Sequence, residues 1–123
     1  MSQVVLVAED DPSVRMTIEF VLKDEGFEVL LAEDGAEALN LALESIPDVI
    51  LLDQIMPKMD GKEVLTALRK EPSTSAIPVF VLTGMARGEE SEWPGAFFIG
   101  KPFSPDALVA RIREVLGPPP ETV

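Results

Sequence analysis

A chain of 123 residues that is 46% hydrophobic has room for one domain with a substantial core, and it is too apolar for disorder. Its 22 acidic against 10 basic side chains leave a net charge of -12, a surface that repels nucleic-acid phosphates and suits oxygen ligation of a cation. With no histidine and no cysteine, Ser-His-Asp and Cys-His chemistry, disulfides and thiolate metal sites are excluded.

The first apolar, β-branched run, Gln3 to Ala8, predicts a buried strand that breaks into Glu9-Asp10-Asp11-Pro12. Pro12 suits the first position of a helix capped by Asp11, and Val14, Ile18, Val21 and Leu22 supply its apolar face until about Gly26. Phe27 to Ala32 is the second predicted strand. Asp34-Gly35-Ala36-Glu37 resembles a capping box, and the helix it opens runs to about Ser45. Val49 to Leu52 is too short for a free-standing helix and reads as a strand buried on both faces, ending on Asp53. The stiff loop behind it carries Pro57 and the turn pair Asp60-Gly61.

Gly61 leads into a third helix through Val64, Leu65 and Leu68, closed by Arg69-Lys70. Glu71 to Ala76 is a polar loop, Ile77 to Leu82 a fourth strand stopping at Thr83-Gly84, and Ala96 to Ile99 a fifth that leads to Gly100-Lys101-Pro102. Between the last two, Gly88, Pro94 and a block of acids predict a helix that is short or irregular. Ser104-Pro105 opens the last helix, through Leu108, Ile112, Val115 and Leu116, and Gly117-Pro118 stops it. The expected domain is therefore residues 1-116, with 117-123 as a short proline-rich tail. No apolar run approaches the roughly 18 residues of a membrane span, and no basic-then-apolar leader follows Met1, so a cytoplasmic protein is expected.

Strand alternating with helix predicts an α/β fold, a doubly wound five-stranded parallel sheet with helices on both faces. The flavodoxin-like order 2-1-3-4-5 is one of two common solutions. In such a sheet the strand ends deliver Glu9, Asp10, Asp53, Thr83 and Lys101 to one edge. Carboxylates crowded there repel unless a cation sits among them, and oxygen ligands suit Mg²⁺. A hydroxyl and an ammonium beside them are parts that hold a phosphoryl group. Without histidine or cysteine, the strand-end nucleophile of this set is an aspartate, which would form an acyl phosphate.

These residues resemble the receiver domain of two-component response regulators over about residues 3 to 116. The likeness is carried by Val4-Val5-Leu6-Val7-Ala8-Glu9-Asp10-Asp11-Pro12, by Asp48-Val49-Ile50-Leu51-Leu52-Asp53 with Met56-Pro57-Lys58-Met59-Asp60-Gly61, by Val81-Leu82-Thr83-Gly84 and by Lys101-Pro102-Phe103. The resemblance implies the 2-1-3-4-5 sheet and Asp53 as phosphoacceptor. It implies Mg²⁺ (or Mn²⁺) held by Glu9, Asp10, Asp53 and the backbone carbonyl of Ile55. It also implies Thr83 on a phosphoryl oxygen, Lys101 on the phosphate charge and Phe98 at an aromatic switch position. The implied donor is a histidine kinase or a histidine phosphotransfer protein in a two-component system or phosphorelay. The protein would then be a signal-transduction phosphoprotein and not a turnover enzyme, though able to assist its own phosphorylation and dephosphorylation.

Departures from the family pattern are Glu9 where many members have Asp, Phe98 without a tyrosine hydroxyl, and a shortened interval from Thr83 to Lys101. Ile55 and Met85, each two positions past a site residue, are apolar and would hinder an in-line water, so slow loss of the phosphate is expected. Output is expected through protein contacts or as a phosphate shuttle, with no direct nucleic-acid or membrane partner and the downstream protein open; the chain is expected to be a single-domain regulator, the alternative being a receiver cut from an output domain. Two alternatives are an unphosphorylated receiver-like interaction module and a small Mg²⁺-dependent phosphohydrolase. The latter wants an acid where Ile55 stands.

Overall fold

The computed structural model describes residues 3–54, 56–83, 93, 95–101 and 103–117. In chain order the elements are β1 (Val4–Ala8), α1 (Pro12–Asp24), β2 (Glu28–Ala32), α2 (Gly35–Ser45), β3 (Val49–Asp53), α3 (Gly61–Lys70), β4 (Val79–Thr83), β5 (Phe97–Gly100) and α4 (Pro105–Leu116). The five strands form one sheet in the order β2-β1-β3-β4-β5, every neighbouring pair parallel. This is the flavodoxin-like topology expected from the alternation of elements. The short or irregular helix expected between Thr83 and Lys101 falls largely on 84–92, outside the described residues.

Period-two alternation splits the strand side chains between two cores. Leu6, Ile50, Leu52, Val79 and Val81 pack with Ala38 and Ala42 of α2 and Val64, Leu65 and Leu68 of α3. Val5, Val7, Val49, Leu51, Phe80 and Leu82 pack on the other face with Ile18 and Leu22 of α1 and Leu108, Val109 and Ile112 of α4. β3 and β4 are buried along their whole length, which is why they read as continuous apolar runs.

Some boundaries move for local reasons. The Phe27 N–H bonds back to Leu22 O across the turn at Gly26, so β2 starts at Glu28. The Ile77 N–H closes a turn onto Thr74 O, and β4 starts beyond Pro78. The Ala96 N–H is spent on Trp93 O, which shifts β5 to Phe97–Gly100. The expected capping box at α2 is offset by one: Asp34 accepts from Glu37 N–H, but Glu37 reaches the Glu33 N–H. A complete capping box, Asp60 with Glu63, instead starts α3, the helix behind the site.

Candidate functional site

The buried polar groups that close the strands gather at the carboxyl edge of the sheet: Glu9 is 1% exposed, Asp53 7% and Thr83 5%. Each is there because its strand delivers it. The Glu9 N–H bonds Ala32 O at 3.2 Å and carries the β1 ladder one residue past Ala8. Asp11 is withdrawn from the site by its duty as the cap of α1, accepting from Ser13 N–H at 2.9 Å and Ser13 Oγ at 2.8 Å. Those bonds from Ser13 hold its carboxyl below the ordinary aspartate value. Arg15 fixes the acidic turn from behind, donating to Glu9 O at 2.8 Å and, more weakly, to Asp10 O at 3.5 Å, while its other nitrogen pairs with Glu33 at 3.4 Å.

The loop after Asp53 is held by close approaches that only glycine allows. A Cβ on Gly61 would lie 2.6 Å from Asp53 O, and one on Gly35 would lie 1.9 Å from Met59 O. Lys58 adopts a left-handed φ of 69° within this loop and pairs with Asp34 at 3.3 Å. The backbone around the aspartate is thus clamped against the starts of both α2 and α3.

Lys101 arrives from the end of β5, its N–H bonded to Thr83 O at 2.8 Å. Its ammonium donates to Asp53 Oδ1 at 2.9 Å and lies 3.6 Å from Glu9 Oε1. Burial by itself would lower the Lys101 ammonium, but Asp53 and then Glu9 outweigh it and hold Lys101 above the ordinary lysine value. Burial pushes the Glu9 carboxyl up to about 8, contact with Asp53 and its charge add to the push, and Lys101 opposes it.

Carboxylate oxygens of Glu9, Asp10 and Asp53 all lie within 4.8 Å of one another. Glu9 Oε2 is buried without a hydrogen-bond partner. Three hard oxygen donors facing one ammonium, with one buried oxygen left over, fit a divalent cation such as Mg²⁺. When no metal is bound, the proton on Glu9 relieves the same crowding.

The structure therefore brings Glu9, Asp10, Asp53 and Lys101 into one cluster. Thr83 ends the neighbouring strand, with its hydroxyl donated to Gln54 Oε1. Phe98 sits half-buried in β5, edge-on to Trp93 with ring centroids 6.1 Å apart, and its carbonyl accepts from Arg111 at 3.2 Å. Ile55 and Met85 lie outside the described residues. Sequence reasoning passed over Arg15 and Gln54. Gln54 had a signal, a polar residue directly behind a buried strand-end acid, but its partner is legible only from the pairing of β3 with β4.

A family model described as the response regulator receiver domain matches residues 5–113. The chain is 42% identical to the phosphate regulon transcriptional regulatory protein PhoB of Escherichia coli, over 94% of this chain and 52% of that protein. It thus spans about half the length of the curated relatives it matches. Its fold superposes on the chemotaxis protein CheY4 of Vibrio cholerae with a TM-score of 0.87 at 32% identity, covering 94% of this chain and 99% of that one. The receiver domain of the sensor histidine kinase PA1611 from Pseudomonas aeruginosa, solved with magnesium in its active-site cleft, gives 0.86 at 27% identity, over 96% of this chain and 100% of that one.

Proposed function

Because the chain belongs to the response regulator receiver family, we propose that Asp53 is its phosphoacceptor and that the domain works as a phosphorylation-dependent signalling switch. The observation that carries the reading is the Lys101–Asp53 pair at 2.9 Å set beside the Glu9–Asp10–Asp53 cluster. The donor is a phosphohistidine on a histidine kinase or a histidine phosphotransfer protein. A carboxylate oxygen of Asp53 attacks phosphorus, and a P–O bond forms as the donor's P–N bond breaks. The electron pair of that bond stays on the imidazole nitrogen, which takes a proton from solvent, and an acyl phosphate remains on Asp53.

Glu9, Asp10 and Asp53, with the Ile55 carbonyl that the family resemblance adds, would hold Mg²⁺, which neutralises phosphoryl oxygens when bound. Lys101 keeps its ammonium on the charge that moves from Asp53 to the phosphoryl group. Thr83 can donate its hydroxyl to a phosphoryl oxygen, and the Phe98 region responds to that change. The domain does not turn over a separate substrate; it assists its own phosphorylation and dephosphorylation. Output runs through protein contacts in the cytoplasm.

Incubation with Mg²⁺ and phosphoramidate, followed by intact-mass measurement, tests the assignment. One hydroxylamine-labile phosphoryl adduct is expected on the native protein and none on Asp53→Asn. Equal adducts on both proteins refute it.

A further inference from the structure

Sheet register decides which face each strand-end side chain takes. Asp53 pairs with Leu82, and Leu82 belongs to the core under α1 and α4. Thr83, the next residue of β4, and Gln54, the first residue past β3 and still bonded to Leu82 O, therefore fall together on the opposite face. There the Thr83 hydroxyl donates to Gln54 Oε1. The backbone of Gln54 is fixed on both sides, its N–H bonded to Leu82 O at 3.1 Å and its carbonyl accepting from Gly61 N–H at 3.0 Å. The acceptor is thus carried on a rigid support, and Thr83 itself is almost wholly buried.

A threonine hydroxyl has one proton to give. While that proton is committed to Gln54, it cannot also be given to a phosphoryl oxygen on Asp53. We propose that Gln54 is a positioning residue that occupies the Thr83 hydroxyl in the resting domain, so that Thr83 grips the phosphoryl group only by giving up its bond to Gln54. The inference rests on Asp53 being the phosphoacceptor and adds a resting-state restraint to that reading. The restraint biases the domain against the phosphoryl-bound arrangement by the worth of one part-buried hydrogen bond, and removing the acceptor shifts the balance the other way.

Beryllofluoride, a stable mimic of a phosphoryl group on a carboxylate, is titrated calorimetrically in saturating Mg²⁺ into the native protein, Gln54→Leu, Gln54→Met, Thr83→Ala and Thr83→Ala with Gln54→Leu. Loss of one net hydrogen bond in the resting state predicts about fivefold tighter binding for both single Gln54 variants. Thr83→Ala should bind more weakly than native, and adding Gln54→Leu to it should leave the affinity unchanged, because the gain acts through the Thr83 hydroxyl. The two Gln54 substitutions guard against one of them failing to fold, and their melting curves confirm it. Native-like or weaker binding in both folded Gln54 variants overturns the proposal, as does a gain that persists without Thr83. Failure of the native protein itself to bind, with Asp53→Asn as reference, strikes at the phosphoacceptor reading instead and removes the basis of this one with it.

Discussion

Glu9 makes the metal-free domain lose stability as pH rises through neutrality. Its carboxyl stands at about 8 in the fold against an ordinary 4.5, so between those values the folded chain holds a proton that the unfolded chain has released. Unfolding then releases a proton, and stability falls across that window. The gap caps the effect at roughly 5 kcal/mol, and coupling to Asp53 and Lys101 makes the realised loss smaller. For a domain of this size each kcal/mol lost between pH 5 and pH 8.5 lowers the melting temperature by roughly 4 °C. The window is otherwise quiet, since the chain has no histidine or cysteine. Asp11 and Asp34 are lowered and contribute only in acid, and Lys101 is raised and contributes only in base. Thermal melts in EDTA across the range, native against Glu9→Gln, provide the assay. The native slope should be negative and the variant's nearly flat, and saturating Mg²⁺ should restore the native protein at pH 8.5. A native melting temperature that is flat or rising over this range, or the same slope in Glu9→Gln, would refute the reasoning.

Three further outcomes are expected. Lys101→Met removes an ammonium that competes with a divalent cation for Asp53, so Mg²⁺ should bind at least about tenfold more tightly while beryllofluoride binds more weakly; calorimetry showing both moving the same way would contradict this. Gly35→Ala forces a Cβ into the Met59 carbonyl and should cost about 2 to 3 kcal/mol, read as a melting temperature lower by roughly 10 °C. A polar residue at Ile55 or at Met85 should admit an in-line water and shorten the lifetime of the acyl phosphate. Unchanged decay in both variants would remove the steric argument.

The sequence carried the sheet because burial on both faces leaves continuous apolar runs, and Val49–Leu52 and Val79–Leu82 are such runs. It carried Glu9, Asp10, Asp53, Thr83 and Lys101 because a parallel sheet sends every strand end to one edge, so position along the chain converts directly into position in space. Strand starts were less legible: at Phe27, Ile77 and Ala96 a single backbone N–H is taken by a preceding turn, a competition that apolar patterning does not register. Asp11 was legible as the cap of α1 because Pro12 follows it, and the bonds from Ser13 bear that out. Arg15 left no signal as a site residue, and Gln54 left only its place directly behind Asp53. What each one holds is a partner remote in sequence or a backbone atom, and neither leaves a spacing signature.

The clamps around Asp53 are unevenly made. Toward α2 and α3 the loop is pinned by main-chain atoms in direct contact, Gly35 on Met59 and Gly61 on Asp53, and such contacts cannot rotate out of the way. Toward β4 and β5 the Gln54 N–H is tied to Leu82 O, and beyond that bond the links are made by side chains, Lys101 to Asp53 and Thr83 to Gln54, which can exchange partners without moving the backbone they hang from. Side-chain rearrangement next to Asp53 is therefore open on the β4–β5 flank and closed on the α2–α3 flank.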